Sequence, residues 1–153
     1  MEIIIGSTLF FLLSSLSYMD LKVGLLPNVL TYSGMILGIG FSFGTGHGID
    51  ALIGIVAGYG SFWIIAKAFF LVSGKEGMGH GDFKLMAMLG AFMGWQAIPF
   101  VALIASAVGT LVVSCLLIGS RKDIQTEVAF GPYLAVAGMA WFVCGKQLSA
   151  ILF

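Results

Sequence analysis

The sequence predicts an all-α membrane protein, a polytopic bundle of about six transmembrane helices. Of its 153 residues, 59% are hydrophobic and only 9% are charged, whereas a soluble domain carries about 25% charged residues. Six apolar runs approach the roughly 20 residues that a helix needs to cross a bilayer. No repeat, low-complexity tract or linker separates them. We therefore expect residues 1–153 to form one membrane-embedded domain.

Polar breaks delimit the predicted spans. The spans cover residues 3–19, 29–43, 51–72, 83–95, 100–118 and 128–143. Pro27 and Asn28 follow the first span, where a proline suits the start of a new helix and not the interior of one. Gln96 and Pro99 mark a tight turn between the fourth and fifth spans. Because the N-terminus has no basic segment and no small-residue cleavage site, we interpret the first run as a retained span and not a signal peptide.

The distribution of basic residues predicts the orientation. Alternating spans place the loops at 20–28, 73–82 and 119–127 on one side of the membrane. The basic residues of these loops and of the head of the fourth span are Lys22, Lys75, Lys84, Arg121 and Lys122. The opposite side has only Lys146. Since cytoplasmic loops carry the excess of Lys and Arg, we expect the first side to be cytoplasmic and both termini to be periplasmic.

Two aspartates fall at the same predicted edge of the membrane. Asp20 closes the first span and Asp82 opens the fourth, so both are expected at the cytoplasmic side. Acidic residues of membrane helices are costly and usually mark a functional site. Three alternating glycines, Gly77, Gly79 and Gly81, precede Asp82 and leave the backbone open to a close approach by another chain or a ligand. The pattern predicts a two-carboxylate site.

Two neighbouring carboxylates can act as an aspartic dyad. They cannot easily ionise together, so they share a proton. The ionised member takes a proton from an attacking water, while the protonated member polarises the peptide carbonyl. Because Asp82 lies near a helix N-terminus and Asp20 near a helix C-terminus, we expect Asp20 to hold the shared proton. His47 and His80 are predicted on opposite faces, which excludes a two-histidine metal site.

Other interpretations remain open at this point. Asp82 could be a helix N-cap, and the glycines a flexible loop or a helix-packing device. The aspartates could also serve as a relay in a proton-coupled transporter or channel subunit, although such sites favour the bilayer midplane and repeated halves. A structural scaffold would tolerate the loss of either carboxylate. The net charge of zero gives no support to a nucleic-acid partner.

Four sequence blocks carry a family resemblance. They are Asp20 followed by LLPN at 25–28, GKEGMGHGDFKL at 74–85, LGAFMGW at 89–95 and FGPYLA at 130–135. In this order and spacing they resemble the bacterial type IV prepilin peptidases, a GxGD family of membrane aspartyl proteases. The blocks extend over essentially the whole chain. The short GxGD motif alone is also shared with presenilins and signal peptide peptidases.

The resemblance implies that Asp20 and Asp82 are the catalytic pair. The substrate would be a type IV prepilin or a type II secretion pseudopilin, whose basic leader is cut at the cytoplasmic edge of the bacterial inner membrane. The positions assigned to substrate binding or to the surrounding loops are Gly77, Gly79, Gly81, Lys84, Pro27 and Asn28. Acidic loop residues that could meet the leader's lysines are Glu76, Asp123 and Glu127. The oligomeric state is left open.

The chain departs from many bacterial members in one respect. Those members carry an additional cytoplasmic domain with paired CxxC zinc motifs, associated with N-methylation of the mature pilin. Here the only cysteines are Cys115 and Cys144, both inside apolar runs. The sequence thus predicts a peptidase without methyltransferase activity, with no metal and no cofactor, so neither zinc nor S-adenosylmethionine is expected. It is either a naturally short member or the core of a longer one.

Overall fold

The computed structural model describes residues 2–74, 79–119 and 130–152. The helices are α1 (Glu2–Val23), α2 (Asn28–Gly44), α3 (Gly48–Ser73), α4 (His80–Met93), α5 (Ala97–Gly119) and α6 (Gly131–Leu152). No strand occurs within these residues. Three segments are long and apolar enough to cross a membrane, namely Ile3–Val23, Gly48–Ser73 and Ala97–Cys115. The predicted all-α membrane bundle with six helices is confirmed.

The helix ends differ from the predicted breaks chiefly in three places. The first helix, α1, extends to Val23, past the predicted end at residue 19, and α6 extends to Leu152, past the predicted end at residue 143. Gly24 ends α1 in the left-handed conformation, with φ of +68°, and its N–H bonds the Asp20 carbonyl at 2.9 Å. Pro27 is the extended residue before α2. Pro99 was predicted in a turn, but it lies inside the first turn of α5. A proline is tolerated there because the N–H groups of the first turn have no partner within the helix.

The shortest helix, α4, is the centre of the bundle. Its side chains are buried without interruption from Leu85 to Ala91, and α2, α3, α5 and α6 all pack against it. Its 14 residues extend about 21 Å, against about 39 Å for α3. A short fourth span was predicted, but its enclosure by four other helices was not. The helix that carries Asp82 is therefore shielded by its neighbours.

Glycines allow the helices around α4 to approach closely. In α3, Gly54 lies against the backbone of Gly90, and a Cβ added at Gly58 would stand 2.7 Å from the Met86 carbonyl oxygen. In α2, a Cβ added at Gly38 would stand 2.9 Å from the Cβ of Ala91. Small residues spaced four apart are typical of tight helix contacts in membranes. These contacts fix the position of α4, and with it the depth of Asp82.

Candidate active site

Asp20 continues a buried stripe along α1. Leu9, Leu13 and Leu16 are fully or almost fully buried, and Asp20 follows Leu16 by four residues, so the four side chains share one face of the helix. The Asp20 side chain is only 7% exposed. The same packing that buries the leucines therefore turns this carboxyl group into the bundle.

Asp82 lies in the first turn of α4. Gly79 precedes the helix in an extended conformation, and its carbonyl accepts the Asp82 N–H at 3.1 Å. The Asp82 carboxyl in turn accepts a hydrogen bond from the Gly79 N–H, as the third residue of a helix does in a capping box. The interpretation of Asp82 as a cap is thus correct in part. However, Asp82 is only 7% exposed, which helix capping alone does not require.

The two carboxyl groups lie at the same end of the bundle and interact. Asp20 is near enough to Asp82 for a charge on one carboxyl group to disfavour a charge on the other. Both α2 and α6 pack against α1 and also against α4, while α1 and α4 do not pack backbone to backbone in the described part of the chain. The two carboxyl groups therefore interact across a space between two helices whose described backbones are not in contact. Both aspartates thus lie at one end of the bundle, and that this end is the cytoplasmic edge of the membrane stays a prediction.

Gly131 is a site residue that the sequence analysis did not single out. Its N–H donates a buried hydrogen bond of 2.9 Å to Oδ2 of Asp20. A Cβ at this position would collide with that oxygen and stand 3.0 Å from the Asp20 Cγ. Gly131 is also the first residue of α6, so the Asp20 carboxyl sits at the N-terminus of that helix. Two signals could have identified it: the Gly131-Pro132 pair at a helix start, and its place in the FGPYLA block at 130–135.

The hydrogen bond from Gly131 removes the argument from helix ends that predicted which aspartate holds the shared proton. The argument placed Asp82 at a favourable helix N-terminus and Asp20 at an unfavourable C-terminus. In the structure each carboxyl accepts a backbone N–H at a helix N-terminus, Asp82 from Gly79 and Asp20 from Gly131. That Asp20 holds the proton stays a prediction without this support.

Among the remaining candidate positions, Gly81, Lys84 and Asn28 make contacts between neighbouring segments. Gly77 lies outside the described residues. A Cβ at Gly81 would stand 2.8 Å from Cδ1 and 2.9 Å from Cβ of Leu26, so this glycine lets the segment after α1 pack onto the start of α4. Beside it, the Lys84 ammonium donates to the Asn28 amide oxygen at 2.6 Å. These two contacts join the start of α2 and the segment before it to α4, and Pro27 lies between Leu26 and Asn28.

The two histidines lie at opposite ends of α4, as predicted. His80 is its first residue, whereas His47 lines a cavity with Gly94 and Gln96 just beyond the other end. In the residues that the structure describes, no group of three or more His, Cys, Asp or Glu side chains could hold a metal ion. The chemistry that the arrangement offers is that of two buried carboxyl groups sharing a proton.

The chain is similar to a known protein family and to several of its members. Residues 7–114 match the model of the type IV leader peptidase family. The "prepilin leader peptidase/N-methyltransferase" of Stutzerimonas stutzeri is 43% identical over 140 residues, covering 90% of this chain and 48% of that protein. The Pseudomonas aeruginosa protein of the same name is 44% identical over 139 residues, with 90% and 48% covered.

A third relative, from Pectobacterium carotovorum subsp. carotovorum, carries the same name. It is 46% identical over 127 residues, covering 81% of this chain and 45% of that protein. No solved structure matches the chain. The chain spans about half the length of the relatives it matches. Since the family model covers both aspartates and most of the sequence, the chain belongs to the type IV leader peptidase family.

Proposed function

We propose that this protein is an aspartic endopeptidase that removes the basic leader from type IV prepilins or type II secretion pseudopilins. One observation carries the proposal: Asp20 and Asp82 are both buried, interact electrostatically, and each accept a backbone N–H at the same end of a membrane bundle. The relatives' printed name, which includes prepilin leader peptidase, supports the choice of substrate.

The mechanism uses the pair as one unit. Burial disfavours two negative charges side by side, so one carboxyl keeps a proton while the other is ionised. The ionised carboxyl takes a proton from a water as it attacks the peptide carbonyl. The protonated carboxyl polarises that carbonyl and later helps the amine to leave. The N–H groups of Gly79 and Gly131 hold the two acids in place.

The position of the pair suits a substrate that has a membrane helix of its own. Such a substrate presents the bond next to its apolar segment at the end of the bundle, where Asp20 and Asp82 lie. From the distribution of basic residues we place this end at the cytoplasmic face of the bacterial inner membrane, with both termini periplasmic. We treat residues 1–153 as one peptidase domain. Glu76, Asp123 and Glu127 are proposed to meet the lysines of the leader.

The proposed activity is peptide cleavage without methyl transfer. Cys115 and Cys144 are the only cysteines in the sequence and form no CxxC pair. Both are exposed, on α5 and α6, so they do not form the tetrahedral cysteine sets that hold zinc. Incubating the purified chain with a cleaved pilin and labelled S-adenosylmethionine tests this, and incorporation of the label would contradict it.

Cleavage of a purified prepilin tests the peptidase directly. Asp20→Asn and Asp82→Asn should each lower the rate at least about 100-fold, since each removes half of the acid–base pair. Asp50→Asn is the matched control, because Asp50 holds the same position in the first turn of α3 as Asp82 does in α4. It should cleave at the wild-type rate.

The same variants separate the alternatives. A scaffold would tolerate both substitutions. A proton-coupled transporter would show proton flux into liposomes, lost in both variants, with no cleavage by the wild-type protein. Transporter sites favour the midplane of the bilayer, whereas this pair lies where α1 ends and α4 begins. Cleavage by either aspartate variant at the wild-type rate would contradict the proposal.

A further inference from the structure

An open apolar groove runs between α2 and α3 with α4 as its floor. It has a volume of about 440 Å³ and is lined by Met35 from α2, Val56 and Gly60 from α3, and Ala87 from α4, among others. This volume is within the range of small-molecule sites, about 300–1,000 Å³. Val56 is 73% exposed, and nothing lies within 4 Å of a Cβ added at Gly60. In a membrane bundle, such a groove faces the acyl chains of the lipid.

A single positive charge stands in this apolar groove. Lys84 also lines it. Its ammonium donates to the Asn28 amide oxygen at 2.6 Å and lies 5.4 Å from the centre of the Tyr32 ring. Both contacts are to neutral groups. In the described part of the chain, no carboxylate contact neutralises this ammonium. A lysine ammonium has three donors, so the Asn28 bond leaves donors for an anion.

We infer that this groove binds an anionic phospholipid, with an acyl chain along Met35, Val56 and Gly60 and the phosphate on the Lys84 ammonium. A phospholipid combines the two features that the groove requires, a long apolar chain and an adjacent negative charge. Charged residues of membrane helices usually have a partner, and a lipid phosphate provides one. The site is distinct from the carboxyl pair, because Lys84 contacts α2 while Asp82 interacts with α1.

The bound lipid would also affect the neighbouring segment. Lys84 is tied to Asn28, the first residue of α2. Leu26, two residues earlier, packs against Gly81 beside Asp82. A phosphate on Lys84 would therefore help to hold the connection between α1 and α2 against the start of α4.

Native mass spectrometry of the purified protein in detergent tests the inference. Phosphatidylglycerol and phosphatidylcholine of equal chain length are titrated in turn, with no substrate present. We expect one phosphatidylglycerol to bind about fivefold more tightly than phosphatidylcholine, the factor that one basic residue contributes against an anionic lipid. Lys84→Gln should bind both lipids equally, and Lys84→Arg should keep the preference.

Two glycine variants test the groove itself. Gly60→Leu places a side chain in the empty space of the groove and should weaken the binding of both lipids at least tenfold. Gly40→Leu is the matched control, because Gly40 is also an unobstructed helical glycine but does not line the groove; it should bind as wild type. Equal binding of the two lipids by wild type would overturn the inference, and so would unchanged binding by Gly60→Leu. A dimer that Gly60→Leu abolishes while lipid binding persists would place a second copy in the groove and also overturn it.

Discussion

Substituting Gly131 by alanine should impair catalysis while leaving the bundle folded. The new Cβ would occupy the space of the Asp20 Oδ2 atom and stand 3.0 Å from its Cγ. Because residue 131 belongs to the backbone of α6, it cannot shift without moving the helix. The side chain of Asp20 therefore has to move instead. It would then lose its 2.9 Å hydrogen bond to the Gly131 N–H.

The size of the effect follows from that hydrogen bond. In the steps of the reaction in which Asp20 is ionised, a hydrogen bond to its carboxylate contributes about 1.5–3 kcal/mol, and each 1.36 kcal/mol on the activation barrier is a factor of about ten in rate. If the loss acts fully on the transition state, kcat for prepilin cleavage should fall roughly 10- to 160-fold. A displacement of the carboxyl by about 1 Å gives a similar loss of roughly 100-fold.

The assay compares initial cleavage rates of purified Gly131→Ala and wild type, with thermal unfolding of both. Gly40→Ala is the control, because a Cβ at that helical glycine meets nothing within 4 Å. It should cleave as wild type and unfold at the same or a higher temperature, since alanine is favoured over glycine in helices by about 1 kcal/mol. A Gly131→Ala protein that cleaves at the wild-type rate would refute the role assigned to this glycine.

Three further predictions concern the pair and its support. A plot of the cleavage rate against pH should be bell-shaped, because only the singly protonated pair is active. The two apparent pKa values of the plot belong to both acids together. A rate that falls on only one side of the pH range would contradict this. Gly90→Ala should lower the unfolding temperature, because the new Cβ would collide with the backbone of Gly54 and overpacking costs about 1–3 kcal/mol. An unfolding temperature as high as that of Gly40→Ala would contradict the tight contact between α3 and α4. Ser42→Ala removes a buried 2.8 Å hydrogen bond to the Ala91 carbonyl and should destabilise the protein by about 1 kcal/mol. Its kcat should be unchanged, because Ser42 lies at the end of α4 away from Asp82. A large loss of kcat would contradict this and show that the two ends of α4 are coupled.

The helices and the pairing of the aspartates could be predicted from the sequence. Apolar runs of this length have few alternatives in a bilayer, where every backbone polar group must be satisfied within the segment. The break after Asp20 and the glycines before Asp82 interrupt those runs clearly. Counting the spans between them then predicts both acids at one edge, and in the structure the two acids interact.

The arrangement of the helices could not be predicted in the same way. The composition of α4, rich in Leu, Met and Ala, is like that of any other span, so nothing marks it as the enclosed helix. Its place depends on contacts such as that between Gly54 and Gly90, which join distant parts of the chain. Similarly, the apolar residues of α1 are distributed around the whole helix, so the sequence does not reveal the buried stripe that ends at Asp20. The contact of Gly131 with Asp20 spans 111 residues, and the FGPYLA block that contains Gly131 does not show which residue it contacts.

The central claim is that Asp20 and Asp82 act as one unit, and a double-mutant cycle on prepilin cleavage tests it most directly. The rates of Asp20→Asn, Asp82→Asn and the double variant are measured in the same preparation and compared with wild type. Residues that act together are strongly non-additive, so the double variant should be no slower than either single one. Losses that multiply in the double variant, or a single variant that retains the wild-type rate, would contradict the account.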